Sequence, residues 1–427
     1  MPATMQFRVR FWRRTGLSTA KPTVRRWLTL VNLLAFLTVL TAIAGSKESH
    51  EAWVATWGAS PVAPLPANTT NPGFANQTVR LVVHTSMGGN EVRVRLSNAF
   101  STDSLTIGAA HIALRNKDAA IVAGTDRVLK FSGLGSVTIP PGALVVSDSV
   151  NLDIPALSDL AVSLYFPGST GQATWHPAAL ATNYISATGD FTGTVELPVD
   201  HKVTSWFYLT DVEVNASKDT PAMVAFGDSI TDGTRSTPDT NHRWPNLLAE
   251  RLAQHHFKLS VVDQGIAGNR ILHDVAGPNA LARFDRDVLA QSGVQYVAVL
   301  LGINDIGRST TGQPPQPVSA DEIIAGHRQM IVRAHQSGLK ILGCTLTPFE
   351  GAAYFSQEGE TKREAVNKFI RAGGEYDGLI DFDAVVRDPS HPARFLPIYD
   401  SGDHLHPNDA GYKAMADAID LSLFKKR

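Results

Sequence analysis

The spacing of apolar residues changes once along this chain, near residue 220, and that change commits it to two kinds of layer built one after the other. Before it, apolar and polar residues alternate in short runs. Residues 78–84 and 91–97 each place an apolar side chain at every second position, with Val79, Leu81 and Val83 in the first and Val92, Val94 and Leu96 in the second. A period of two is the mark of a strand with one buried face. The turn Met87-Gly88-Gly89-Asn90 between them predicts a hairpin. Further short runs follow at 105–107, 111–114, 137–139, 144–146, 160–166 and 206–214, punctuated by Gly, Pro, Asp and Ser. No amphipathic helix of normal length interrupts them. Strands at this spacing predict an all-β sandwich or jelly-roll over residues 50–215.

After residue 220 the runs are longer and separated by helical patterns. Apolar, strand-like segments fall at 222–226, 259–263, 296–301, 341–345 and 379–380. Pro245 suits the first turn of a helix carrying Leu247, Leu248 and Leu252. Ser319 and Glu322 form a capping box ahead of Ile323, Ile324, Met330 and Ile331. Asn408 or Asp409 is placed to cap a last helix through Ala414, Ala418 and Ile419. Buried strands alternating with helices predict an α/β region over residues 220–427, with a parallel sheet covered on both faces. In such sheets ligands bind beyond the carboxyl ends of the strands.

At 427 residues the chain is long enough for two domains, and with 43 % hydrophobic and 18 % charged residues it can bury a substantial core. The formal net charge is −2, and no long charged run follows the first thirty residues, so nothing points to nucleic acid. The lone cysteine, Cys344, excludes an internal disulfide and sits in an apolar run, where it reads as a small core residue. Residues 1–45 differ from the rest. Arg8, Arg10, Arg13, Arg14, Arg25 and Arg26 precede an uncharged stretch from 27 to 44 that ends in Ala42-Ile43-Ala44. This pattern predicts a secretory signal, and its length leaves open an uncleaved membrane anchor. Either would place the remaining chain outside the cytosol, secreted or periplasmic, with membrane contact only if the segment is retained. Three glycosylation-type sequons, at Asn68, Asn76 and Asn215, carry no conclusion.

Four polar motifs stand at the ends of the predicted strands. The run 222–226 leads into Gly227-Asp228-Ser229-Ile230-Thr231-Asp232-Gly233, where a serine just past a buried strand is presented at the sheet end. The second strand ends in Gly265-Ile266-Ala267-Gly268-Asn269-Arg270, and Gly268 lets the backbone approach a ligand and offer its N–H. The third ends in Gly302-Ile303-Asn304-Asp305, and Asn304 can donate an amide N–H without carrying charge. Asp403-His404-Leu405-His406 precedes the last helix. An Asp three residues before a His can orient it and stabilise its cation, and such a His can take the proton from a serine hydroxyl. Each motif alone is also explained by turn chemistry. A metal site built from Asp403, His404 and His406 is the competing reading of the last one.

Taken together and in this order, the motifs resemble the four blocks of the SGNH (GDSL-type) hydrolases. The match runs from residue 222 to about 423, with Gly-Asp-Ser-Ile where many members have Gly-Asp-Ser-Leu. The resemblance implies a three-layer α/β/α, flavodoxin-like hydrolase domain with Ser229, Asp403 and His406 as catalytic residues. It also implies an oxyanion hole made by Ser229, Gly268 and Asn304, with no metal and no cofactor. The first half, through Trp53-Val54-Ala55-Thr56-Trp57, Asn76-Gln77-Thr78 and Val94-Arg95-Leu96-Ser97-Asn98, is similar to the β-domain of two-domain bacterial SGNH proteins, some grouped with acetylxylan esterases. Trp53 and Trp57 themselves read as core. The function implied is an exported serine esterase acting on O-acetyl groups of polysaccharide or oligosaccharide. A lipolytic or aryl esterase is the alternative. A non-catalytic carbohydrate-binding surface protein on a hydrolase scaffold is the third reading.

Overall fold

In the first region the apolar stripes close on each other as two antiparallel sheets. The computed structural model describes residues 52–64, 71, 73–311 and 315–425. One sheet runs Ala52–Gly58, Leu209–Ala216, Gly89–Ser97, Leu144–Val146, with Val150–Ile154 also paired to Gly89–Ser97. The other runs Val199–Val203, Asn183–Thr188, Gln77–His84, Asp159–Phe166, Ala109–Leu114, Arg127–Leu129. Val79, Leu81 and Val83 of one sheet share a single apolar cluster with Val92, Val94 and Leu96 of the other, so the two inner faces form a sandwich core. Trp57 lies in that core, edge-on to Trp206 at 4.8 Å.

The predicted hairpin at residues 78–97 does not form. Gln77–His84 pairs with Asp159–Phe166 and Asn183–Thr188, whereas Gly89–Ser97 lies in the opposite sheet. The short link between them crosses from one sheet to the other and is pinned to Thr56 of the strand Ala52–Gly58. Thr56 Oγ1 accepts the Met87 N–H at 2.8 Å and donates to the Met87 carbonyl at 2.7 Å. The Ser86 N–H donates to the Thr56 carbonyl at 2.9 Å. Alternation alone does not say which sheet a strand joins. The polar face of Gln77–His84 is not solvated either. Arg80 is fully buried and donates to Ser163 Oγ and to the carbonyls of Ala119 and Thr194. Burial lowers its guanidinium to about 10, against the pull of Asp126 and Glu196. The run 206–214 is broken at Tyr208, whose φ of +60° splits it between Trp206–Phe207 and Leu209–Ala216.

The second region is a parallel sheet of five strands: β1 Ala222–Gly227, β2 Ser260–Gly265, β3 Val294–Leu300, β4 Lys340–Cys344 and β5 Gly378–Ile380. Their spatial order is β2-β1-β3-β4-β5, all parallel. The chain leaves β1 to one side for β2 and returns to its other side for β3. Right-handed crossovers in opposite directions put the helices on both faces. Helices α1 Ser229–Asp232, α2 Trp244–Gln254, α3 Ala280–Phe284, α4 Ile303–Thr311, α5 Ala320–Gln336, α6 Gln357–Arg371, α7 Phe382–Val386 and α8 Asp409–Ala418 follow in order. α2, α7 and α8 pack as one group, and α3 to α6 as another. Pro245 stands in the first turn of α2, Ser319 and Glu322 close the capping box of α5, and Asn408 caps α8 by accepting the Gly411 N–H at 2.9 Å. Cys344 is fully buried at the end of β4.

Both regions lie in one compact unit, Glu51–Arg427. The leader over residues 1–45 lies outside the described residues. Among the described residues no helix is long and apolar enough to cross a membrane. Thr56→Val keeps the side chain's shape but strips both hydrogen bonds from Met87. It is expected to lower stability by about 1–3 kcal/mol in a denaturant titration.

Candidate active site

The serine is presented by a turn with no room to spare. β1 ends at Gly227, and a Cβ there would lie 2.0 Å from Thr231 Oγ1, so only glycine lets the chain double back so sharply. Asp228 then caps α1, its carboxylate accepting the Ile230 N–H at 3.0 Å. Ser229 becomes the first residue of a helical turn at the carboxyl end of the sheet. Burial lifts the Asp228 carboxyl to about 7, and the Ile230 N–H only partly opposes this.

The structure brings Ser229, His406 and Asp403 into one hydrogen-bonded chain. Ser229 Oγ is 2.8 Å from His406 Nε2, and His406 Nδ1 is 2.9 Å from Asp403 Oδ2. A carboxylate only accepts, so Nδ1 carries the ring proton and Nε2 turns a lone pair to the serine hydroxyl. The other Asp403 oxygen accepts the backbone N–H groups of Leu405 and His406, at 3.1 and 2.9 Å. These bonds are local to the 403–406 turn, so the spacing of three residues by itself orients the ring. Arg235 Nε donates to Asp403 at 3.0 Å from the solvent side. Burial alone would raise the Asp403 carboxyl. The His406 N–H and imidazole, with Arg235, outweigh burial and hold it well below the usual carboxylate range. His404, by contrast, bonds Asp400 through Nδ1. It is not drawn into a cluster with Asp403 and His406.

The loop after β2 is held along most of its length. The Ile266 N–H donates to the Gly227 carbonyl at 3.1 Å, and the Ala267 N–H to Asp232 Oδ2 at 3.0 Å. Asn304 Nδ2 donates to the Asn269 carbonyl at 3.1 Å, and its Oδ1 accepts from Tyr354 Oη at 3.4 Å. One amide hydrogen of Asn304 is thus committed to the loop, which orients the second. Asp305 accepts the N–H groups of Ile271 and Leu272 at 2.8 and 3.1 Å. Gly268, at φ +80°, lies in the middle of this clamped segment. The chain hence gathers the serine turn, the Gly268 loop and Asn304 at the ends of β1, β2 and β3.

Beneath them sits Arg283 of α3, fully buried. Its Nη2 donates to the Gly227 carbonyl at 2.8 Å, its Nε to Asn269 Oδ1 at 3.0 Å, and its Nη1 to the Gln264 carbonyl, Ser60 Oγ and Asp287. The guanidinium lies 4.0 Å from the Phe226 ring centroid. Burial pulls it down to about 10, and Asp287 works in the opposite direction. Arg283, Asp232, Tyr354 and Arg235 were not singled out by sequence reasoning. Asp232 lies inside the quoted serine block and was legible there. The other three stand in stretches with no motif.

Residues 225–414 match the GDSL-like lipase/acylhydrolase family. Among solved structures, an acetylxylan esterase from Geobacillus stearothermophilus is 23 % identical, covering 49 % of this chain and 97 % of its own, with a TM-score of 0.38. A GDSL-like lipase from Bacteroides thetaiotaomicron is 18 % identical over 49 % of this chain and 90 % of its own, with a TM-score of 0.36. No curated protein matches the chain.

Arg283→Met takes a donor from the Gln264 carbonyl and Asn269 Oδ1, while Asp287 keeps Arg286 and the Gly227 carbonyl keeps the Ile266 N–H. The expected cost is about 1–3 kcal/mol in a denaturant titration. Asp403 makes a pH-dependent prediction. Because its folded value is depressed, its stabilisation is complete above the ordinary carboxylate value of 3.8 and is lost as pH falls toward the folded value. The stability gap between wild type and Asp403→Asn should therefore shrink below about pH 4, as read by chemical denaturation at several pH values.

Proposed function

We propose that this chain, whose residues 225–414 match the GDSL-like lipase/acylhydrolase family, is a serine esterase in which Ser229 is the nucleophile, His406 the general base and Asp403 its orienting acid. The observation that carries the reading is the continuous path Ser229 Oγ, His406, Asp403, with contacts of 2.8 and 2.9 Å at the carboxyl end of the parallel sheet. A free serine hydroxyl is a weak nucleophile, and this path supplies the base that activates it. Ser229 Oγ attacks the ester carbonyl carbon, and its proton passes to His406 Nε2. The tetrahedral oxyanion is met by the backbone N–H groups of Ser229 and Gly268 and by the second amide hydrogen of Asn304. The carbon–oxygen bond to the alcohol breaks, and His406 returns the proton to the departing oxygen. Water, deprotonated by the same nitrogen, then releases the acid and restores the serine. These steps draw on this chain's own residues and water.

The substrate we propose is an O-acetyl ester of a carbohydrate. A groove of about 730 Å³ borders the 400–404 segment that precedes His406. It is lined by Glu350, Asp388, His391 and Arg394 together with Phe355 and Phe395. Ser229 and His406 do not line it, and its polar and charged side chains suit a hydroxylated alcohol better than a lipid chain. Export, which rests on the leader over residues 1–45, would bring the enzyme to polymers that cannot enter a cell. A lipolytic or aryl esterase is the second reading, and the non-catalytic scaffold the third.

Ser229→Ala and His406→Ala should abolish nearly all ester hydrolysis while keeping the thermal transition. Asn304→Ala should lower kcat by about 10²–10³-fold and change KM less. Wild-type rates on p-nitrophenyl acetate in Ser229→Ala would exclude the mechanism. Release of acetate from acetylated xylan supports the carbohydrate assignment, and faster turnover of medium-chain p-nitrophenyl esters would replace it with the lipolytic one. Failure of a fluorophosphonate to label Ser229 would favour the non-catalytic scaffold.

A further inference from the structure

The antiparallel region places a buried histidine of its own against the serine turn. His176, on the two-residue strand Trp175–His176, is 4 % exposed. Its Nδ1 lies 2.9 Å from the Ser60 carbonyl oxygen and its Nε2 3.1 Å from Asp232 Oδ1. A carbonyl oxygen only accepts, so Nδ1 carries a proton. A carboxylate likewise calls for a proton on Nε2. The site therefore holds an imidazolium against a carboxylate, both out of water. Burial opposes that charge, and Asp232, the Ser60 carbonyl and Asp263 more than compensate, raising His176 above the ordinary histidine range. Arg243 closes the other side of the turn, its Nε donating to the Asp232 carbonyl at 2.9 Å.

Asp232 is the last residue of α1, which Ser229 begins. Its second oxygen, Oδ2, accepts the Ala267 N–H at 3.0 Å. Ala267 immediately precedes Gly268. The far end of that loop is held by Asn304 and Asp305, from within the α/β region. Its near end is held by Asp232, and Asp232 is held by His176. Without that partner the Ala267 N–H alone would hold the carboxylate in place.

We propose that His176 is a positioning residue for ester hydrolysis: by locking Asp232 it sets the Ala267–Gly268 peptide against the Ser229 turn, so the sandwich region forms part of the catalytic unit. This rests on the esterase reading above. A misaligned oxyanion donor costs transition-state stabilisation and leaves ground-state binding nearly intact.

The test compares His176→Phe, His176→Gln, Asp232→Ala and the His176→Phe/Asp232→Ala double variant on p-nitrophenyl acetate. His176→Phe keeps the ring's bulk and removes both hydrogen bonds. Its kcat should fall about 10–100-fold with KM within about twofold. His176→Gln, which can still donate to Asp232, should recover part of that loss. Asp232→Ala leaves both the His176 ring and the Ala267 N–H without their acceptor and should lose a similar factor, with the double variant no worse than the worse single change. Wild-type kcat in His176→Phe, or losses in the double variant that multiply, would overturn the proposal. Should His176→Phe fail to fold, Asp232→Ala decides: a lowered kcat at constant KM supports the proposal, and a wild-type kcat refutes it. Fluorophosphonate labelling of wild-type Ser229 separates the two ideas. No labelling removes the esterase reading itself, whereas labelling with an unaffected His176→Phe removes only this inference.

Discussion

The guanidinium of Arg283 is the interaction around which the site is assembled. It has no exposure to water, yet it reaches the end of β1 at Gly227, the end of β2 at Gln264, the loop at Asn269, the sandwich at Ser60 and its own counter-charge at Asp287. A carbonyl at the end of a parallel strand has room for a further donor, and a buried one left with none would cost about 1–3 kcal/mol. Arginine presents several N–H groups in a fixed plane, so one side chain can satisfy ends from neighbouring strands at once. Lysine, with a single ammonium on a flexible stem, could not span them. Arg283 thus ties the end of β1, which leads into the serine turn, to Asn269 of the Gly268 loop.

The groups proposed to react divide into local and long-range parts. Asp403 and His406 are three residues apart and organise each other through backbone and side chain within a single turn. Ser229 and His406 are 177 residues apart, and only the packing of α8 and the sheet brings them to 2.8 Å. The local part resists perturbation because its bonds depend on few other contacts. The long-range part depends on every strand crossing between them, which is why the buried polar bonds under the site matter as much as the reacting groups. Buried polar networks of this kind are valuable when fully satisfied and costly when one member is lost.

Much of the architecture was legible because period and punctuation agree with the final contacts. The five apolar runs after residue 220 became the five parallel strands, since a strand buried on both faces has to be continuously apolar. The capping box at Ser319 and Glu322 formed as read because its bonds close within four residues. The failures share a cause. Residues 78–84 and 91–97 carry the right alternation but belong to opposite sheets, and Arg80, on the polar side of that alternation, is buried and donates to two separate loops at Ala119 and Thr194. Alternation reports that a face is covered and is silent about what covers it.

By itself the amino-acid order determined the two fold classes, the caps, the serine turn and the Asp403–His406 pair, all of which arise from residues a few positions apart. The tertiary structure decided which sheet each strand joined, the meeting of Ser229 with His406, and the roles of Arg283, His176 and Asp232. The physical reason is one of range. Propensity, capping and turn chemistry act between near neighbours, whereas a buried charge is tolerated only where distant segments converge to solvate it, and that convergence is a property of the folded chain.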